Sequence, residues 1–175
     1  MPQTDSGAPI IAHIMKQISK QFLTMLALVL PLLAPVNAAH AASIVSIVST
    51  DPLTGIAIGG WDPVSYFTEG EPQIGRGDFE LVWSGVPWHF ASAGNMEVFR
   101  RAPEIYAPQY GGHGAMGVAR GYVSDGNPRI YTVFKQRLYF FYSPANREAF
   151  LAAPDTAASE GAEQWQTLSQ QLSVR

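Results

Sequence analysis

Two histidines, His89 and His113, carry most of the chemistry that this chain could perform on a metal or a proton. Two imidazoles can begin a copper(II), zinc or nickel site if Asp, Glu or water completes it, and Met96 or Met116 could add a soft sulfur for copper(I). There is no cysteine anywhere in the 175 residues, which removes thiolate ligation, thiol nucleophiles and redox exchange together. A hydrolytic triad could draw on abundant Ser and Asp, yet no nucleophile-elbow pattern marks one, and no catalytic residue is assigned. Glycine in Gly111-Gly112-His113-Gly114 serves positive φ or close backbone packing as readily as an oxyanion loop. Phosphate-binding glycine patterns are missing, and a net charge of -3 gives no case for a nucleic-acid partner.

These residues sit in a chain with a targeting look at its front. Lys16 and Lys20 precede an apolar stretch at 22–33, and Ala39-His40-Ala41 forms a small-x-small cleavage pattern. Residues 1–41 are therefore read as a signal peptide cut near Ala41/Ala42, with Met15 an alternative start. The apolar stretch is short for a membrane span and is broken by Pro31 and Pro35. A periplasmic or secreted protein is expected. Cleavage would leave His89 and His113 as the sole histidines, 42–60 as a lead-in with one strand, and 61–175 as the domain.

The domain contains a repeat with an offset of 51 residues, aligning 84–103 with 135–154 without gaps. Identical pairs include Phe90/Phe141, Ser92/Ser143, Asn95/Asn146, Phe99/Phe150 and Pro103/Pro154. Each copy reads as a hairpin followed by a helix. In the first, strands at 79–83 and 86–90 flank Ser84-Gly85, Ser92 caps a helix with Met96 and Phe99 on its inner face, and Pro103 stops it. In the second, strands at 130–134 and 137–142 flank Lys135-Gln136, and Ser143-Pro144 supplies a cap with proline at the first helical position. Pro154 stops that helix. The connection at 106–122 is too rich in glycine for a comfortable helix. A closing helix at 158–172 carries Ala162, Trp165, Leu168 and Leu172 in one stripe. The fold class expected is α+β, with two ββα units, a small antiparallel sheet, a glycine-rich connection and a C-terminal helix.

Three blocks, Asp62-Pro63-Val64 through Phe67, Trp88 through Tyr106 and Pro108 through Val118, resemble the YHS domain family and its secreted bacterial members. The family often binds heavy metals through cysteine. Its thiol positions correspond to Ser65, Ala91, Asn95 and Gly114 in this sequence. His89 stands two residues before Ala91, and His113 immediately before Gly114. The resemblance thus implies a non-catalytic exported binding protein, with copper or zinc as the cofactor if His89 and His113 converge. The alternative is a cysteine-free module that recognises an envelope protein or a small ligand without metal, and an unrecognised envelope enzyme is the minor reading. Asp62 is expected to fix a turn, and Asn95 and Asn146 to satisfy backbone groups between the copies.

Overall fold

The computed structural model describes residues 46–173. The expected signal segment and the first residues of the lead-in lie outside them. Strand β1 (Arg76–Trp83) pairs antiparallel with β2 (Val86–Phe90), and β3 (Asn127–Phe134) pairs antiparallel with β4 (Arg137–Phe141), giving two separate two-stranded sheets. Four helices belong to the first half: α1 (Ser65–Thr68), α2 (Ala93–Arg101), α3 (Pro103–Tyr106) and, in the connection, α4 (Ala115–Ala119). The second hairpin is followed by α5 (Pro144–Ala152) and the long α6 (Pro154–Ser173). The fold is α+β.

The duplication is reproduced at atomic detail. Strands and helices of the second unit begin at residues 127, 137, 144 and 154, each 51 beyond its counterpart at 76, 86, 93 and 103. Both hairpins shift register at the same place, between Arg76 and Glu80 in one and between Asn127 and Tyr131 in the other. Such a bulge tightens the local twist and bends the strand over its helix. The turns match too, with positive φ at Ser84 and Gly85 (54° and 81°) and at Lys135 and Gln136 (49° and 58°). These dihedrals are those of a two-residue turn whose twist suits a hairpin.

Each helix starts for the same reason. Ser92 and Ser143 have extended backbones, and their hydroxyls accept hydrogen bonds from the N–H groups of Asn95 and Asn146, which would otherwise be orphaned in the first turn. The buried payload also repeats. Phe99 lies among Trp83, Trp88 and Phe90 with ring centroids 5.1–5.6 Å apart, and Phe150 lies among Phe134, Tyr139 and Phe141 at 4.9–6.1 Å. Each of these two rings centres an aromatic cluster, but Leu138 and Phe140 of β4 are buried with the first core, and Tyr66 joins the two halves by donating to the Pro128 carbonyl at 2.8 Å.

Several boundaries differ from the expectations. Strands β1 and β3 begin three residues earlier than expected, because their first halves continue through the bulge. Pro103 and Pro154 stop one helix and also begin the next, occupying an N-terminal position where no N–H is needed. The closing helix therefore runs from Pro154, and Ala162 is exposed while Ala157, Gly161 and Leu168 are buried. Gly161 is required there, since a Cβ would stand 2.4 Å from the Tyr110 hydroxyl. Among its described residues, 46–60, the lead-in forms no strand. It makes an isolated bridge between Thr50 and Ala57, and it buries Val48, Ala57 and Ile58 in the core.

Replacing Phe99 or Phe150 by Ala is expected to cost about 3–5 kcal/mol each, and replacing Ser92 or Ser143 by Ala about 1 kcal/mol each. Urea denaturation of the four single variants checks the order; cap variants as damaging as the core variants would contradict it.

Candidate functional site

The glycine-rich connection places His113. Tyr110, Gly111 and Gly112 all adopt positive φ (57°, 62° and 89°), and His113 follows in extended conformation. The same trace occurs earlier, where Ile58, Gly59 and Gly60 (47°, 63° and 79°) are followed by extended Trp61. The duplication thus continues upstream of the hairpins, with one residue inserted, and it makes Trp61 and His113 counterparts. The next residues, Asp62 and Gly114, donate their N–H groups to the carbonyls of Gln73 and Ser124, themselves 51 apart. The signal available in the sequence was the pair Gly59-Gly60 and Gly111-Gly112. Glycine is needed at 111 for space as well as φ, because a Cβ there would stand 1.9 Å from the Ile47 carbonyl oxygen.

Asp62 and Gly114 differ in consequence. Asp62 is fully buried, and its carboxylate accepts four hydrogen bonds: from Val64 N–H at 2.8 Å, Ser65 N–H at 3.4 Å, Ala91 N–H at 2.8 Å and Asn95 Nδ2 at 2.7 Å. It fixes the expected turn, and it also pins the end of β2 and the start of α2. Asn95 therefore serves a carboxylate and not the backbone groups expected of it. In the second unit Gly114 presents no side chain, and Ser124 Oγ fills the place, 2.7 Å from where a Cβ would be. That hydroxyl is buried without a hydrogen-bond partner.

The two sequence-singled histidines have separate surroundings. His89, on β2, meets Glu80 Oε2 through Nε2 at 3.0 Å, an exposed carboxylate on the neighbouring strand. His113 is 3% exposed, donates from Nε2 to the Ser46 carbonyl at 2.8 Å, and packs its ring 5.8 Å from that of Trp165. Among the described residues the two imidazoles share no hydrogen-bond partner, and no group of three or more His, Asp or Glu is placed to hold a metal ion. Met96 and Met116 pack against the two aromatic cores.

His113 borders a cavity of about 440 Å³, together with Ser46, Ser49, Asp51, Trp61 and Asp125. Because a carbonyl can only accept, Nε2 carries the proton of the neutral ring and Nδ1 is left as an acceptor. Among the described residues Nδ1 is buried and makes no hydrogen bond of good geometry, although the Ser124 backbone lies close enough to the ring to favour its protonated form. Burial holds the imidazole below histidine's usual 6.5, outweighing the Ser46 carbonyl, the Asp125 carboxylate and the Ser124 backbone, which favour the protonated ring. At neutral pH the ring is therefore an acceptor beside a hydroxyl-lined, acid-rimmed cavity. Sequence reasoning pointed to His113, and to Trp61 only as one of many aromatics that could line a pocket or fill the core, but not to Ser46 or Asp125, which reach the cavity only through the fold.

Comparison with protein-family models, with curated proteins and with solved structures gave no match. The functional reading rests on the geometry of the chain itself.

Two outcomes follow. Asp62→Ala leaves four donors without an acceptor and is expected to destabilise by about 3 kcal/mol or more in urea melts; a loss below about 1 kcal/mol would refute the anchoring role. For His113, a folded-state value below the unfolded one means that the unfolded chain binds the proton more readily, so stability is full above pH 6.5 and falls as the pH drops through the folded value. Melting temperatures at pH 8, 6.5 and 5.5 should decline more steeply for the natural chain than for His113→Gln. Parallel profiles would contradict the assignment.

Proposed function

We propose that this chain is an exported, non-catalytic binding module of the YHS type, and that its site is the cavity at His113, which takes a small polar ligand. The resemblance of the three blocks to that family and the paired hairpin-helix units support the module reading. One observation carries the site: the buried His113 ring, whose Nδ1 makes no hydrogen bond of good geometry among the described residues, borders a cavity lined by Ser46, Ser49, Asp51 and Asp125 beside Ile58, Trp61 and Pro128. Buried polar atoms without partners are uncommon in folded proteins, and those that persist beside a cavity mark places where something else supplies the hydrogen bond. A ligand that fits must bring a donor, because Nδ1 and the Asp51 and Asp125 carboxylates are acceptors at neutral pH.

The ¹⁵N resonance of His113 Nδ1 reports on this directly. Titration with ethanolamine, glycerol and glucose, each rich in donors, should move that resonance for at least one of them, whereas acetate should not. Binding of the ligand that moves it, followed in parallel by calorimetry, should be lost in His113→Phe. Failure of all three donors to move it overturns the small-ligand reading. Copper, zinc and nickel are titrated in parallel: stoichiometric uptake lost in a His89→Ala/His113→Ala double variant would replace that reading with a histidine-based metal accessory protein.

A further inference from the structure

The duplication produces a second pair of equivalent clefts, distinct from His113's cavity, and the two are furnished differently. Each lies between a hairpin turn and the helix that starts at a Pro-acidic pair: Trp83, Ser84, Trp88 and Glu104 line the first, of about 330 Å³, and Phe134, Lys135, Tyr139 and Asp155 line the second, of about 410 Å³. These residues correspond one for one at the offset of the repeat. In the second unit the position after the aromatic residue is Lys135, whose Nζ forms an ion pair with Asp155 Oδ1 and stands 5.3 Å from the centroid of the Phe134 ring. An ammonium is thus held between a carboxylate and an aromatic face.

The first unit keeps both walls and lacks the cation. Ser84 has the same backbone conformation as Lys135, φ 54° against 49°, but its side chain is too short to reach across. Glu104 occupies Asp155's place at the start of its helix and has no ion-pair partner among the described residues. Trp83 replaces Phe134, and indole presents the strongest cation-binding face among the aromatic side chains. Trp165, from α6, adds a second aromatic wall that the other cleft does not have.

We propose that the first cleft binds an alkylammonium group, held between the Trp83 ring and the Glu104 carboxylate as Lys135 is held between Phe134 and Asp155. The second unit serves as an internal template for the ligand's charged end. Partial exposure of the site and the modest worth of exposed ion pairs and cation–π contacts make the expected binding weak and salt-sensitive. The cleft and the His113 cavity are distinct but adjoin at Val48, and this inference does not depend on the one drawn for His113.

The test uses the indole N–H resonance of Trp83, followed during titration with n-butylamine at neutral pH, where the amine is protonated, and with 1-butanol as the neutral control. A saturable shift is expected with the amine alone. Glu104→Gln should weaken it about two- to fivefold, and Ser84→Lys should abolish it by supplying the ammonium from within, as the second unit does. Because Lys135 already occupies this backbone conformation, Ser84→Lys should fold, and its melting temperature should equal or exceed that of the natural chain. A blocked lysine tripeptide forms the second arm: tighter binding than n-butylamine assigns the cleft to a lysine side chain, and equal binding assigns it to a free amine. Absence of a saturable shift with both, an equal response to 1-butanol, or unchanged amine binding in Ser84→Lys would overturn the proposal.

Discussion

The buried carboxylate of Asp62 is the constraint around which the first half of the domain is arranged. An ionised group removed from water is tolerated only when its oxygens are fully engaged, and here two backbone segments and one side chain converge to engage them. Satisfying Asp62 fixes the turn into α1, the exit of β2 and the entry of α2 at once. The aromatic rings around Phe99 then fill the space that these three points define. Hydrophobic burial supplies most of the driving force, but it is non-directional, and the carboxylate selects which arrangement is formed.

The second half reaches the same backbone without that device. Gly114 removes the side chain, Ser124 occupies the gap, and the hairpin and helix hold their geometry through the capping serine and the Phe150 cluster. The long helix α6 compensates by covering this half, packing Trp165 against Tyr110 and His113. Duplication thus preserved the elements that local chemistry dictates, while the polar groups diverged. Both candidate binding regions lie where the copies differ: Trp61 against His113 in one, and Ser84 against Lys135 in the other.

Much of the scaffold was legible in the sequence because its signals are local. Ser92 and Ser143 cap, Pro103 and Pro154 punctuate, and Phe99 and Phe150 recur at a constant offset, so the hairpin-helix units could be read from spacing alone. Strand beginnings were missed because residues before the bulge lack the alternation that marks a strand. The lead-in's burial was missed for a different reason: nothing in 46–60 announces that Gly111 will leave room for the Ile47 carbonyl. The site was half legible. His113 stood out as a rare residue beside glycines, but its pairing with His89 rested on family positions, and the structure supplies each ring with its own partner. Trp61, Asp125 and Ser46 could not be gathered in advance, since only long-range packing brings them to one cavity. Asp62 was read as a turn residue, because contacts across about thirty residues leave no periodic trace.

A chain that carries one structural unit twice must also decide which parts belong together. Each hairpin is tied to its own helix by two residues, but the segments that begin at Trp61 and His113 share one backbone trace and must each find a unit, and Phe99 and Phe150 present the same residue in the same frame to both. Asn95 recurs as Asn146, so the helices do not carry the distinction in that side chain. Asp62 does. It offers its acceptor to one hairpin exit and one helix entry, and Gly114 offers none to the other. The single charge therefore works as an address: it directs the segment at 62–65 to the first hairpin and helix, and leaves the segment after Gly114 to the second.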